Sequence, residues 1–181
     1  DINTEILNKA ENFADTYLAG RVKKGRLTEE QAKAARERIS FTSSMAEAVK
    51  DADYVIEAVL EILDLKRKIF ADLDKMAPAH AILASNSSAI ISSKIADATN
   101  RPEKVLNVHF FNPALVMKLV EIVQGPHVSD ETREITMALC EKLEKVPVHL
   151  KKEVDGFLLN RIFGAITREA LWLLEMGVAS M

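Results

Sequence analysis

Apolar residues recur along this chain in two alternating periods. Ile6, Leu7, Ala10, Phe13, Ala14, Tyr17 and Leu18 fall at helical spacing and predict a first helix. A basic turn follows over residues 20–25. Thr28 with Gln31 has the form of a capping box and opens a second helix to about Ile39. Residues 39–42 read as a short strand. Ser44 with Glu47 predicts another capped, short helix ending near Lys50. Tyr54, Val55 and Ile56 form a continuous apolar run, the mark of a buried strand. Further strands are predicted over 81–84, 105–108, 119–123 and 147–150, with helices over 63–76, 90–98 and from the Ser129 cap to about Leu143. A long apolar helix is predicted over 157–176.

Strands alternating with helices predict an α/β fold with a doubly wound, mostly parallel sheet. The polar stretch 151–156, ending in Gly156, is the best boundary. It divides a domain over 1–152 from the start of a helical domain over 153–181.

Bulk properties narrow the partners. The 181 residues carry a net charge of −3 with interspersed signs, so no basic surface for nucleic acid is expected. No apolar run approaches the ~20 residues that span a bilayer, and no membrane partner is expected. Cys140 is the one cysteine, which rules out an intrachain disulfide and a cysteine-rich metal site. Cys140 sits beside Leu139 and Leu143 and reads as core. No metal-ligand spacing and no serine-centred nucleophile elbow is present. His80, His127 and His149 lack a carboxylate at a telling spacing and read as solvent-facing.

In a doubly wound sheet, ligands bind at the carboxyl ends of the strands. Four places there carry polar residues. Glu57, Glu61 and Lys66 follow the 54–56 run; Glu61 and Lys66 fit either a solvated helix start or a ligand site. Ser85, Asn86, Ser87 and Ser88 fit either a turn with a helix cap or hydrogen bonding to a ligand. Asn160, on a mostly apolar helix, fits either a backbone contact or a reach back to the cleft. The strongest signal is His109, with Glu121 twelve residues later in an apolar strand. A buried carboxylate needs a partner, and a histidine held by one is an oriented general base. The alternative is a packed, satisfied histidine.

Taken in order, these stretches resemble the 3-hydroxyacyl-CoA dehydrogenase family, of the 3-hydroxybutyryl-CoA dehydrogenase type. The resemblance rests on Asp53 through Glu61 with Leu65, Lys66, Ile69 and Phe70, and on Ala84 through Ser88. It continues through His109-Phe110-Phe111-Asn112-Pro113, Met117 through Glu121, Gly156 through Arg161, and Glu169-Ala170. It implies a Rossmann-like fold, NAD as cofactor and an acyl-CoA substrate. It further implies a homodimer through the helical domain and a cytoplasmic enzyme of β-oxidation or butanoate metabolism, in the mitochondrial matrix if eukaryotic. His109 would be the base and Glu121 its partner. Ser88 and Asn160 would hydrogen-bond the substrate oxygen or the base. Glu61, Lys66, Ser88 and Asn112 match NAD-contact positions, and Asp1 matches the acid that binds the adenosine ribose. Lys24 falls near a position that meets CoA, where a neighbouring serine of the family is Tyr17 here.

Two departures accompany the resemblance. No Gly-x-Gly-x-x-Gly precedes Asp1, where the family places its first strand and glycine turn, so the sheet is expected to lack both. A chain cut at both ends is the expectation, inactive alone and weak in NAD binding. In addition, residues 152–156 run one residue longer than the acyl-CoA pattern. That length is similar to the lambda-crystallin branch, which oxidises small hydroxy acids such as gulonate. The His-Phe-Phe-Asn-Pro stretch argues for acyl-CoA, since that branch resembles His-Pro-Val-Asn-Pro.

Overall fold

The computed structural model describes residues 1–180, in two compact units, Asp1–Asp51 and Ala52–Met181. The first unit is helical: α1 (Thr4–Lys23), α2 (Glu29–Glu37) and α3 (Met45–Val49). Asn3 caps α1 by accepting the N–H groups of Glu5 and Ile6 at 2.8 and 3.3 Å. The basic turn starts later than its sequence indicates, because α1 continues through Gly20 and closes at Gly25 (φ 63°), the left-handed position that favours glycine. The Thr28–Gln31 capping box forms in both directions. Arg36 of α2 ties the two long helices together through Asp15 and Glu11. No strand forms over residues 39–42. The alternation there is too short to hold a strand without a neighbouring ladder for its backbone groups.

The second unit is a five-stranded sheet in the order β1 (Tyr54–Glu57), β2 (Ile82–Ser85), β3 (Val105–Phe110), β4 (Leu119–Val123), β5 (Val146–Leu150). Three helices connect strands: α4 (Leu63–Met76), α5 (Ser93–Ala96) and α6 (Asp130–Lys142). All pairs are parallel except β3 with β4, whose link is short and holds no crossover helix. The last helix, α7 (Leu159–Glu175), follows β5. Among the described residues, no helix is long and apolar enough to cross a membrane.

β2, β3 and β4 are buried almost throughout, and their side chains Ala84, Leu106, Val108, Val120 and Ile122 form the core with Cys140 of α6. Burial pushes the Cys140 thiol up to about 11. β1 departs from the fully buried strand its sequence predicts: Ile56 is 44% exposed, because β1 has β2 as its neighbour on one side only.

Arg101 clamps the end of α4. It donates to the carbonyls of Asp74 and Ala77 at 2.6 and 3.3 Å and, through Nε, to the Asp74 carboxylate at 2.7 Å. Burial pushes that carboxyl up. The hydrogen bonds from the Asn100 N–H, Arg101 and the Asn100 amide, with the Arg101 charge, outweigh it and hold Asp74 below the usual carboxylate range. A lowered carboxyl contributes stability above the unfolded value of ~3.9 and loses it as pH falls through the folded value. Asp74→Asn should therefore cost about 1.5–3 kcal/mol at pH 7, the range for hydrogen bonds to a charged group. In urea titrations the gap from the parent should close below about pH 4. A gap independent of pH would show that the charge contributes nothing.

Candidate active site

Antiparallel pairing sets His109 of β3 directly opposite Glu121 of β4. Residues opposite one another project to the same face of a sheet. Their side chains meet: His109 Nδ1 lies 2.8 Å from Glu121 Oε2. Both are buried, at 5% and 1% exposure. A carboxylate only accepts, so Nδ1–H donates, and in the neutral imidazole Nε2 is the nitrogen that carries the lone pair. Nε2 makes no hydrogen bond among the described residues. The rings of Phe111 and Phe157 flank the imidazole at 4.5 and 5.5 Å between centroids.

Glu121 does more than face His109. Its other oxygen, Oε1, accepts the backbone N–H groups of Leu158 and Leu159 at 3.0 and 2.8 Å. Those groups open α7, where N–H donors have no partner within the helix and the helix dipole favours negative charge. Three donors thus compensate one buried carboxylate. Phe157 makes the turn into the helix. It is fully buried in a left-handed conformation (φ 53°), packed with Val123 and Leu150.

Asn160, in the first turn of α7, reaches back and donates to the Ser88 carbonyl at 3.3 Å. Ser88 follows β2 and is exposed, and its hydroxyl makes no hydrogen bond among the described residues. Its loop is held from two sides. Asn86 Oδ1 accepts the Phe110 N–H at 2.9 Å. Glu61 Oε1 accepts from the Ser87 hydroxyl and from the N–H groups of Ala89 and Ile90 at 3.1 and 3.2 Å. The sequence assigns a helix start to Ile90, but α5 begins at Ser93, whose N–H is accepted by Glu153 at 2.9 Å. Burial pushes the Glu61 carboxyl up, but the hydrogen bonds from Ser87 and Ile90, the Lys66 charge and the Ala89 N–H outweigh it and hold it below the usual range.

Lys66 is not on a solvated helix start. It is fully buried, and its ammonium donates to Glu57 Oε1 at 2.8 Å and to the Val59 carbonyl at 3.4 Å, with Glu61 Oε2 at 3.3 Å. Glu57, at the end of β1, also accepts the Ser85 hydroxyl at 2.7 Å and the Val59 N–H at 2.6 Å. Asn112 lies exposed in the turn after β3.

Within the sheet unit His109 is thus paired with Glu121, Asn160 with the Ser88 carbonyl, and Lys66 with Glu61. Asp1 and Lys24 belong to the helical unit. The Asp1 carboxylate accepts the Asn3 N–H at 2.9 Å, and Lys24 is exposed at the end of α1. A groove of about 510 Å³ between α1 and α2 is lined by Leu18, Val22, Lys23, Lys33 and Arg36, without Lys24.

Two of the remaining three histidines correct the sequence reading. His80 is exposed as expected, but it pairs with Asp53 at 2.8 Å. His127 and His149 are half-buried and bonded, to the Val105 carbonyl at 3.0 Å and to Gln124 Oε1 at 2.8 Å. Strand pairing supplies these partners, and sequence spacing does not show it. Sequence reasoning also missed Ser87 as the hydroxyl that meets Glu61, and Phe157 as the residue against the imidazole. The glycine before Phe157 was the available signal of a turn there.

The model of the 3-hydroxyacyl-CoA dehydrogenase NAD-binding domain matches residues 1–154. A probable 3-hydroxybutyryl-CoA dehydrogenase of Bacillus subtilis is 40% identical over 179 residues, 99% of this chain and 62% of that protein. An L-carnitine dehydrogenase of a Pseudomonas species is 40% identical over 147 residues, 81% of this chain and 46% of that protein. The crystal structure of (S)-3-hydroxybutyryl-CoA dehydrogenase from Ralstonia eutropha superposes with a TM-score of 0.93 at 37% identity, covering 99% of this chain and 63% of that one. The chain thus spans less than two thirds of these relatives. With a family match over residues 1–154 and a mostly parallel sheet of the same architecture, the chain belongs to the 3-hydroxyacyl-CoA dehydrogenase family, and its matched part is that family's NAD-binding domain.

Proposed function

We propose that this chain is the cofactor-binding and base-bearing part of an enzyme that interconverts 3-hydroxyacyl-CoA and 3-oxoacyl-CoA. The observation that carries the reading is the buried His109–Glu121 pair, with Nε2 unbonded among the described residues. In the oxidising direction His109 Nε2 takes the proton of the substrate hydroxyl. In reduction it returns that proton to the carbonyl oxygen. Glu121 holds the ring in the tautomer that leaves Nε2 basic and stabilises the imidazolium that forms. Phe111 and Phe157 exclude water from the ring faces. Ser88 and Asn160 would orient the substrate oxygen toward Nε2.

NAD, when bound, supplies the hydride acceptor. The residues at the carboxyl ends of β1 to β3 fit it. Exposed Val59, Leu60 and Ile62 offer an apolar shelf for a flat ring, and the free Ser88 hydroxyl and exposed Asn112 amide offer donors and acceptors. Glu61 would meet the cofactor from the same rim, and Lys66 would act there through Glu61 and the Val59 carbonyl. Asp1 would bind the adenosine ribose, and Lys24 would meet CoA.

The long α7, with Phe163, Ile166 and Trp172 exposed, suits the start of the helical domain at residues 153–181 through which two copies associate. A single buried thiol fits a reducing compartment, the cytoplasm or the mitochondrial matrix.

A CoA-free hydroxy acid is the second reading, supported by the carnitine dehydrogenase relative and by the longer 152–156 segment. That segment is engaged away from the His109–Glu121 pair, however. Glu153 accepts the Ser92 hydroxyl and the Ser93 N–H at 2.7 and 2.9 Å, and Asp155 meets Lys94. The intact enzyme should reduce acetoacetyl-CoA with NADH at a kcat/KM at least ~100-fold above that for acetoacetate or 3-dehydrocarnitine, the discrimination a substrate-bonding site readily supplies. A preference for either CoA-free acid would overturn the acyl-CoA assignment.

A further inference from the structure

The geometry points to the first turn of α7 as the element that positions the base, acting through Glu121. This inference rests on the reading of His109 as base. Glu121 divides its two oxygens between two elements. Oε2 holds His109 Nδ1, and Oε1 holds the N–H groups of Leu158 and Leu159. With both oxygens engaged, the carboxylate cannot turn toward one side without releasing the other. The imidazole has no other hydrogen-bond partner among the described residues, so its orientation follows Glu121, and that of Glu121 follows α7.

Two further features tie the same turn to the site. Phe157 immediately precedes the two donors. Its buried left-handed backbone aims them at Glu121 while its ring packs on the imidazole at 5.5 Å. Asn160, the residue after the donors, holds the Ser88 carbonyl. One turn of helix therefore carries contacts to the base, to its partner and to the substrate-facing loop. The remainder of α7 has no buried residue in this chain. Its position is open to whatever packs on its exposed apolar face, and a displacement of its first turn would reach His109 through a single carboxylate. Leu158 and Leu159 are on this view positioning residues that act through backbone N–H groups, which side-chain substitution does not remove.

The test is a backbone one. In the intact enzyme, leucic acid in place of Leu159 exchanges the amide for an ester and deletes the N–H that lies 2.8 Å from Glu121. The same exchange at Ile162, whose N–H donates to the Leu158 carbonyl at 3.1 Å, deletes a hydrogen bond of the same helix not aimed at Glu121. The ester at 159 should lower kcat about 10-fold, as loss of a bond to a charged group allows, with the KM for NADH unchanged. It should also move the His109 Nδ1 proton resonance, which reads the His109–Glu121 geometry without turnover. The ester at 162 should leave kcat within about 2-fold and the resonance in place. Equal effects at the two positions, or an unmoved resonance with the ester at 159, would overturn the inference. If His109→Gln abolishes turnover while the two esters behave alike, the base stands and the positioning role falls. If His109→Gln turns over normally, the base assignment itself falls.

Discussion

His109→Gln in the intact enzyme is expected to lower kcat by at least ~100-fold, the low end of what a positioned acid–base group contributes. Glutamine is close to histidine in reach, and its amide can still donate to Glu121. It cannot accept the substrate proton near neutral pH. The change therefore isolates proton transfer from packing. NADH affinity should stay within about 2-fold, because His109 lies under Phe111 and Phe157 rather than on the exposed rim formed by Val59, Leu60 and Ser88. Steady-state kinetics with acetoacetyl-CoA and a fluorescence titration of NADH measure the two quantities separately. Turnover near the parent's rate would remove His109 from the mechanism. A large loss of NADH affinity with kcat intact would assign it to cofactor binding instead.

Lys66→Met should be the most destabilising single change in the sheet unit. The ammonium is fully buried and its nearest partners all lie on the segment from Glu57 to Glu61. Removing it strands the Glu57 carboxylate, 5% exposed, with a hydroxyl and one N–H as its remaining donors. Breaking a buried ion pair in this way costs about 3–5 kcal/mol, which for a chain of this size is a fall in Tm of about 10 °C. Lys66→Met combined with Glu57→Gln should recover part of that loss, since the amide oxygen can still accept the Val59 N–H while the NH2 donates to the Ser85 hydroxyl oxygen, and no orphaned charge is left. Thermal melts of the parent, the two single variants and the double variant give the coupling. Additive losses would mean that the two groups do not act as a pair.

Much of this architecture is legible in the residue pattern. The limits of α4 coincide with its apolar period, and β4 with its continuous run of five apolar or carboxylate-bearing positions. The Thr28–Gln31 box and the Ser129 cap appear where the sequence puts them, because capping is decided within four residues. His109 and Glu121 were also readable as a pair. A carboxylate inside an apolar strand has few ways to be satisfied, and a histidine at the end of the preceding strand is one of them.

Properties that depend on distant neighbours were not legible. The exposure of Ile56 follows from the place of β1 in the sheet order. The missing strand at 39–42 follows from the lack of a partner ladder. The half-buried states of His127 and His149 follow from the Val105 carbonyl and the Gln124 side chain that strand pairing brings to them. Lys66 is the sharpest case. Its place in the sequence fits a solvated helix start, yet the Glu57 carboxylate at the end of β1 draws its ammonium fully inside. The second half of Glu121's role was equally hidden. Its N–H donors lie 37 and 38 residues further on, and backbone donors carry no side-chain signature for a sequence pattern to show. Local period and capping chemistry set the elements, since their energetics close within a few residues. Which buried charge meets which donor is a long-range choice, made when the sheet assembles and each polar group must find a partner or forfeit its solvation.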